Sequence, residues 1–557
     1  MSNVPASGGG APAANGGDLL VRILRENGVD TVFGVVSVHN LPLVEAVARD
    51  LRFVAVRHEA AAVNAADGHA RAGGGLGCAL TSTGTGAGNA AGSMIEALAA
   101  GSRVLHVTGN IDSAHLGQGR GVIHETKDQL GMLAAVSKHA ATIRSAGTAA
   151  DVLRTAIRHA GTLPYGPASV EWPIDLQYAP QQDPGPEPRD RAVPRPHATR
   201  TAAVADRLAA ARRPLIWAGG GARSAGGPLR ELAERLGAPV LTSNAGRGAV
   251  SEDHELVVGN FAAAPAAQPL LAEADLLLSI GTHFRSNETR HYKLELPEQH
   301  VQLDVDPAAI GRSYPVTDGL CGDAADLLPA LLDLLPAGTG PTSEPGWRER
   351  AVAARRAARE RLRADIGPYA AICDALRDQL DPGSPIARDV TIPSSQWGNR
   401  LLPILDPATN IFPLGGGIGQ GLSMGIGAAL ARPDVPTLVM AGDGGLSVHL
   451  GELATLAQER PWLVLVVFND GGYGVLRNMQ DAHMDRRSGV DLFTPDFAAV
   501  AHAMAMPYAL VQDAGDFGDA FAKALAAREP CLLEVDVTAL GPTPVPFVPP
   551  VAIPGRP

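Results

Sequence analysis

Short, wholly apolar runs alternate along this chain with longer stretches whose apolar residues recur every three to four positions, the pattern of buried parallel strands alternating with amphipathic helices. Thr31-Val32-Phe33-Gly34, Phe53-Val54-Ala55-Val56, Cys78-Ala79-Leu80-Thr81 and Val104-Leu105-His106-Val107 predict strands, with a helix over 41–50. Pro214-Leu215-Ile216-Trp217-Ala218 predicts a strand running into Gly219-Gly220-Gly221, and 301–306 a later one. Further strands are predicted at 438–441 and 463–468, joined by a helix over 446–460. Strand–helix–strand units of this length form right-handed crossovers in parallel sheets. The expected fold class is therefore α/β, with three doubly wound parallel-sheet domains.

Turn-forming and proline-rich stretches set the expected boundaries. Residues 1–17 are mostly Ser, Gly, Ala, Asn and Pro and predict a disordered tail. Domains are expected over 18–180, 198–335 and 368–540, separated by a proline-rich linker (180–196) and by a linker and Arg/Ala-rich helix (336–367). A proline-rich tail, 541–557, is expected to be loose or to cross a neighbouring chain. Composition narrows the function. With 45% hydrophobic and 19% charged residues and a net charge of −12, the chain reads as globular and unsuited to nonspecific nucleic-acid binding. No stretch is long and apolar enough for a membrane span, the first residues lack a basic-then-apolar leader, and the four cysteines (78, 321, 373, 531) are scattered. The expectation is a cytoplasmic protein with no membrane partner.

Two predicted strands end in chemistry. One runs into Gly442-Asp443-Gly444-Gly445 and the other into Asn469-Asp470-Gly471-Gly472-Tyr473-Gly474, with Asn469 lying 469 − 443 = 26 residues after Asp443. Both strand ends emerge on one sheet edge, where open α/β sheets bind ligands. A carboxylate and an amide oxygen suit Mg2+, which takes few protein ligands and completes its shell with water and phosphate. The glycines allow close backbone approach to a diphosphate. Turn glycines in an ordinary strand–helix–strand unit account for Gly-Asp-Gly alone, but not for the Asn at this distance with its Gly-Gly-Tyr-Gly tail. Upstream, Arg57-His58-Glu59 opens an Ala-rich helix, a place where Glu is ordinarily favoured by the helix dipole. Thr83-Gly84-Thr85-Gly86-Ala87-Gly88-Asn89 follows.

These segments together resemble the thiamine diphosphate (ThDP) enzymes, in the group containing acetolactate synthase, benzoylformate decarboxylase and benzaldehyde lyase. The resemblance covers nearly all of the chain after the tail. It implies a pyrimidine-binding, a central Rossmann-like and a diphosphate-binding domain, in that order. It implies Mg2+ held by the side chains of Asp443 and Asn469 and the carbonyl of Gly471, with Gly442, Gly444, Gly445 and Tyr473 around the diphosphate. Glu59 is implied to hydrogen-bond N1′ of the aminopyrimidine, so that N4′ removes the C2 proton with the benefit of proximity and matched acidity. A bulky apolar residue in this family wedges between the cofactor rings. It is expected at Met424, with the carbonyl two residues earlier, on Leu422, accepting from N4′; relatives often carry Gly there. His39 matches an active-site His of benzaldehyde lyase. His124, with Glu125, lies near a cleft Gln of benzaldehyde lyase and acetolactate synthase, and His39 and His124 are the residues expected to handle substrate protons.

Departures temper the transfer. The two catalytic histidines of benzoylformate decarboxylase fall on Ser82 and Asn287 here, and the loop 389–395 lacks the Gly-Gln-His of acetolactate synthase. Thr391 and Ser394, with Ser395, are expected to offer hydroxyls to phosphate. Val475, Leu476 and Met479 are expected to line a mainly apolar substrate pocket. The implied activity is ThDP- and Mg2+-dependent decarboxylation of a 2-oxo acid, with protonation to an aldehyde or ligation to a second carbonyl. An acetolactate synthase-like carboligase and a benzaldehyde lyase-like C–C lyase are the enzymatic alternatives. A noncatalytic cofactor-binding paralogue is the rival from another class, and the intact Glu59, Asp443 and Asn469 count against it. The triple-glycine turn is weak ground for FAD as a second cofactor. The implied partners are a small-molecule 2-oxo acid and other copies of the chain, as a homodimer or homotetramer with active sites at the subunit interface.

Overall fold

The structure, a computed structural model, describes residues 14–181, 185, 198–336 and 342–551. Its described strands form three six-stranded sheets flanked by helices, and every strand pair in them is parallel. The first contains β1 (Thr31–Gly34), β2 (Arg52–Ala55), β3 (Gly77–Thr81), β4 (Val104–Asn110), β5 (His139–Thr142) and β6 (Ala168–Pro173), in the order β2-β1-β3-β4-β6-β5. The second contains β7 (Pro214–Ala218), β8 (Val240–Thr242), β9 (Val257–Gly259), β10 (Leu276–Ile280), β11 (His300–Asp304) and β12 (Asp318–Cys321), in the order β12-β11-β10-β7-β8-β9. The third contains β13 (Ile386–Arg388), β14 (Asn410–Ile411), β15 (Thr437–Gly442), β16 (Leu463–Asn469), β17 (Tyr508–Val511) and β18 (Cys531–Asp536), in the order β14-β13-β15-β16-β18-β17. Numbered within themselves, the first and third sheets have one topology, 2-1-3-4-6-5. The second has the mononucleotide-binding order read from its far edge, 6-5-4-1-2-3.

The expected α/β class is thus present, and the unbroken apolar runs follow from it. β15 is buried at every position and β16 at all but its last, because helices cover both faces of a parallel sheet. The three sheets lie in two compact units. The first sheet belongs to one unit, and the second and third sheets share the other. One apolar cluster runs through that second unit, from Leu215, Trp217 and Phe284 to Trp397, Met440 and Val466. The helix Trp347–Ile366, expected within a linker, acts there as a strut. It buries Trp347, Ala351, Ala358 and Ile366, and its Arg355 donates to the carbonyls of His254 (2.9 Å) and Glu252 (2.6 Å).

Three further expectations shift. The first helix begins at Gly16, inside the segment expected as tail, because Asn15 and Asp18 form a reciprocal capping box. Residues 1–13 of that tail lie outside the described residues, as do most of the linker 180–196 and residues 337–341. The helix expected over 446–460 is two helices, Asp443–Val448 and Glu452–Glu459. They part where His449 Nδ1 meets the Gly419 carbonyl at 2.8 Å. The described part of the C-terminal tail makes contacts within its own chain. Val545 N–H donates to the Asp365 carbonyl (3.0 Å), and the Asn478 amide donates to the Phe547 carbonyl (3.0 Å).

A buried ion pair ties the second sheet's loops to the third's. Arg247, 1% exposed, reaches Glu252 at 2.7 and 2.6 Å and donates to the carbonyls of Gly398 (3.0 Å) and Leu402. Glu252 also accepts from Ile404 N–H at 2.9 Å. Arg247→Ala leaves that carboxylate buried and uncompensated, and is expected to cost about 3–5 kcal/mol. A lowered thermal midpoint checks this; an unchanged midpoint contradicts it.

Candidate active site

In the first unit, the 2-1-3 order places β1 beside β3 at a topological switch point, where the loops leaving the strand ends diverge and a crevice opens. His39 lies in the loop after β1, Glu59 opens the helix Glu59–Gly73 after β2, and Ser82-Thr83-Gly84 follows β3. The half-buried Glu59 accepts through Oε2 from Asn89 Nδ2 at 3.0 Å. His39 and His124 come together with Nδ1 atoms 3.3 Å apart and rings edge-on at 5.2 Å. One proton serves that nitrogen pair; two would repel. Burial, and then the neighbouring His124, push the His39 pKa below its ordinary value. Glu125 shapes the loop, its carboxylate accepting from the N–H groups of Gly119 (3.0 Å), Gly121 (2.9 Å) and Val122 (3.1 Å). Ser82 is buried and its Cβ would meet a methyl group placed at Gly86. Asn287, in the other unit, is exposed.

Gln129 joins these loops from beneath. Its Oε1 accepts from Thr83 Oγ1 (2.9 Å) and Gly84 N–H (2.7 Å), and its Nε2 donates to the Gly109 carbonyl (3.1 Å) and Glu171 (3.0 Å). Gly84 sits in the left-handed region, φ +60°, and a methyl group there would come 2.3 Å from the His124 carbonyl oxygen. Neither Gln129 nor Asn89 stood out in the sequence, since a Gln at the start of a short apolar helix and an Asn among small residues carry no spacing that marks them.

The third sheet repeats the 2-1-3 arrangement, placing the loops after β13 and β15 side by side. Asp443 is 1% exposed. Its Oδ1 accepts from Asp470 N–H at 3.2 Å, while Oδ2 is buried with no hydrogen-bond partner. Burial raises its carboxyl above the usual range, partly offset by surrounding backbone N–H groups. The Asn469 amide donates to Glu534 Oε1 at 2.7 Å, which turns its Oδ1 toward Gly471, whose N–H lies 3.2 Å away. The Gly471 carbonyl accepts from Leu492 N–H at 3.0 Å, leaving it a second lone pair. Asp470 contributes another buried, unpartnered oxygen, Oδ1, with the Arg477 guanidinium 3.6 Å away. Burial and then the Asp443 charge push Asp470 up to about 6.

Glycines bring the surrounding walls close. A methyl group at Gly442 would lie 2.9 Å from Thr391 Oγ1, and one at Gly444 would lie 2.7 Å from the Tyr473 ring. Thr391 and Tyr473 therefore border the Asp443 turn. Ser394 is fully buried with its hydroxyl unpartnered, inside the short helical turn Ser394–Gly398. Asp389, which the sequence did not single out, is buried at the centre and accepts from the N–H groups of Val390 (2.7 Å), Gly419 (3.0 Å) and Gly421 (3.2 Å). An orphaned carboxylate oxygen on Asp443, an oriented amide oxygen and a glycine-walled turn fit a divalent cation carrying a diphosphate.

The expected positions of the ring wedge and its carbonyl need correction. Met424 is fully buried within the helix Gly421–Ala431, in a cluster with Val439, Leu446 and Leu453. The Leu422 carbonyl belongs to the same helix, where the backbone ladder engages it. An apolar side chain left exposed nearby is Ile418, 38% exposed, in the loop before the helix. Two residues earlier lies Gly416, exposed and at φ +83°. The Gly-x-apolar pattern was present in the sequence, but a second apolar residue six positions on obscured it.

Comparisons with known proteins place the chain in a family. Residues 14–132 match the thiamine pyrophosphate enzyme N-terminal TPP binding domain, 201–331 the central domain and 393–535 the C-terminal TPP binding domain. A probable 2-ketoarginine decarboxylase of Pseudomonas aeruginosa is 35% identical over 504 residues, 87% of this chain and 88% of that protein. The chain belongs to the thiamine pyrophosphate enzymes. This thiamine pyrophosphate enzyme is also similar to a probable acetolactate synthase large subunit of Methanocaldococcus jannaschii (28% identity; 96% of this chain, 93% of the relative). To the large subunit of Escherichia coli acetolactate synthase isozyme 2 it is 28% identical, over 88% of this chain and 89% of the relative. The triple-glycine turn of its central domain has a packing explanation. A methyl group at Gly219 would come 2.2 Å from the Gly281 carbonyl oxygen, and one at Gly221 would come 2.8 Å from Gly281 Cα.

Two measurements test this site. Met424→Ala is expected to cost about 2–5 kcal/mol of stability, as for other fully buried methionines, whereas Ile418→Ala is expected to change it by less than about 1 kcal/mol. Equal losses in denaturant unfolding would contradict the reassignment. In an NMR titration the His39 ring is expected to titrate below the ordinary histidine value of 6.5, and higher in His124→Asn than in the parent. The shift in the variant is partial, because burial is the larger cause. A midpoint at or above 6.5 in the parent protein contradicts the contact.

Proposed function

We propose that this enzyme decarboxylates a 2-oxo acid using ThDP and Mg2+, and releases an aldehyde. The observation that carries the reading is Asp443 Oδ2, a buried carboxylate oxygen with no partner beside the oriented amide of Asn469, which calls for a cation at that edge. Asp443, Asn469 and the Gly471 carbonyl would hold Mg2+; Thr391, Tyr473 and the Gly442–Gly445 turn would flank the diphosphate. Ile418 and Gly416 replace Met424 and Leu422 as the wedge and the carbonyl acceptor. Ser394 is a weaker candidate for the phosphate, being closed within its own turn. The bound cofactor supplies an electron sink for the departing carboxylate. Glu59 holds and returns a proton at the pyrimidine N1′, and His39 with His124 moves a proton at the substrate oxygen or the product carbon.

The 35% relative named for 2-ketoarginine favours decarboxylation as the outcome. The acetolactate synthases, matched over up to 99% of the chain, favour carboligation as the second reading. A homodimer or tetramer is part of the proposal. It is supported by Ile95 and Leu98, which are 52% and 39% exposed three residues apart on the helix Thr85–Ala100. A reducing, cytoplasmic setting is proposed because all four cysteines are unpaired. No described helix is long and apolar enough to cross a membrane.

The test is CO2 release from a panel of 2-oxo acids, including pyruvate and 2-ketoarginine, with products identified by mass spectrometry. An aldehyde as main product supports the first reading and a hydroxy ketone or acetohydroxy acid the second. Absence of CO2 from every acid overturns both. Glu59→Gln is expected to lower turnover by at least about 100-fold while retaining ThDP binding. Turnover within a few-fold of the parent removes Glu59 from the reaction.

A further inference from the structure

The carboxyl group that opens the helix Glu59–Gly73 is held from two sides by one other helix. Asn89 lies on the helix Thr85–Ala100, a turn in from its start, and its Nδ2 donates to Glu59 Oε2 at 3.0 Å. At Gly86, three residues earlier and on the same face, a methyl group would stand 2.8 Å from Glu59 Oε1 and 2.6 Å from Ser82 Cβ. The glycine therefore makes room for Oε1 while the amide holds Oε2. Gly84, just before this helix, is anchored by Gln129. The start of the helix is thereby fixed to the sheet edge, and Asn89 and Gly86 are carried with it.

A half-buried Glu has three side-chain torsions, and fixing them carries an entropic cost unless a partner restrains the group. A proton-sharing carboxylate must hold its geometry within a fraction of an ångström to be effective. We infer that Asn89 is a positioning residue for cofactor activation: it clamps Oε2 of Glu59, and with the space left by Gly86 it presents Oε1 to the cofactor's pyrimidine. This rests on the reading of Glu59 proposed above. Asn89 itself acts only through Glu59. It needs to be an amide, because a donor restrains the carboxylate without adding charge.

The experiment follows exchange of the cofactor C2 proton for deuterium in the holo-protein without substrate, by acid quench and NMR, for Asn89→Ala, Asn89→Asp, Asn89→Gln and Glu59→Gln. ThDP affinity by calorimetry and the thermal midpoint are measured on the same proteins. Asn89→Ala is expected to slow exchange about tenfold, the usual scale for losing a hydrogen bond to a charged group. Its ThDP affinity and thermal midpoint are expected to stay close to those of the parent. Asn89→Asp places a second carboxylate against the first, so its exchange profile is expected to move to higher pH. Asn89→Gln is expected to recover most of the rate. Unchanged exchange in Asn89→Ala overturns the inference, as does a loss that tracks ThDP affinity or the thermal midpoint. If Glu59→Gln also exchanges at the parent rate, the reading of Glu59 fails; if it is slow while Asn89→Ala is normal, only the role of Asn89 fails.

Discussion

A buried carboxylate at a sheet edge, one of its two oxygens without a hydrogen bond, organises the C-terminal part of this protein. Asp443 is nearly inaccessible, yet Oδ2 makes no hydrogen bond. Taking such a group out of water is costly, and the surrounding backbone N–H groups offset only part of that. The adjoining chain is arranged around the remainder. Asn469 is turned by Glu534, Asp470 brings a second unpartnered oxygen, and Asp389 gathers the N–H groups of the loop that precedes the helix Gly421–Ala431. Local structure and chemistry are therefore linked through one desolvated group.

The same sheet topology is used twice for different ends. In the third sheet the 2-1-3 crossing places a glycine-walled anionic turn at the switch point. In the first it places Glu59 and the His39–His124 pair. The backbone geometry at the two edges is alike, and the side chains decide what each edge does. The small residues have a matching logic. Gly84, Gly86, Gly442 and Gly444 all stand where a methyl group would strike a carbonyl, a carboxylate, a hydroxyl or a ring. Such positions transmit packing to the reactive groups, since a shift at any of them moves a side chain the chemistry depends on.

Much of this was legible along the chain. Unbroken apolar runs marked the parallel strands, because a strand covered on both faces has no polar side to alternate. Asp443 and Asn469 stood out because strand ends and crossover length together put them on one edge. Glu59 and His39 were marked by the family resemblance, since a Glu opening a helix and a His in a loop name no chemistry by position alone. Other features depended on distance in space. The capping box at Asn15, the pairing of Asn89 with Glu59 and the bridge made by Gln129 join residues that no periodicity relates.

What the sequence by itself determined is the fold class and the family, because burial pattern and local motif are properties of residue type and order. What only the tertiary structure decided is which of two nearby apolar residues is buried and which is left exposed. Met424 and Ile418 are both hydrophobic and lie six residues apart. One is sealed in a helix against β15 and the other stands in a loop, and that difference arises where Asp389 caps the helix start and ends the loop. The merging of the second and third sheets into one unit was likewise decided in three dimensions. The strut helix and the Arg247–Glu252 pair close across segments far apart in the chain, and their stabilisation exists only once both sides are folded.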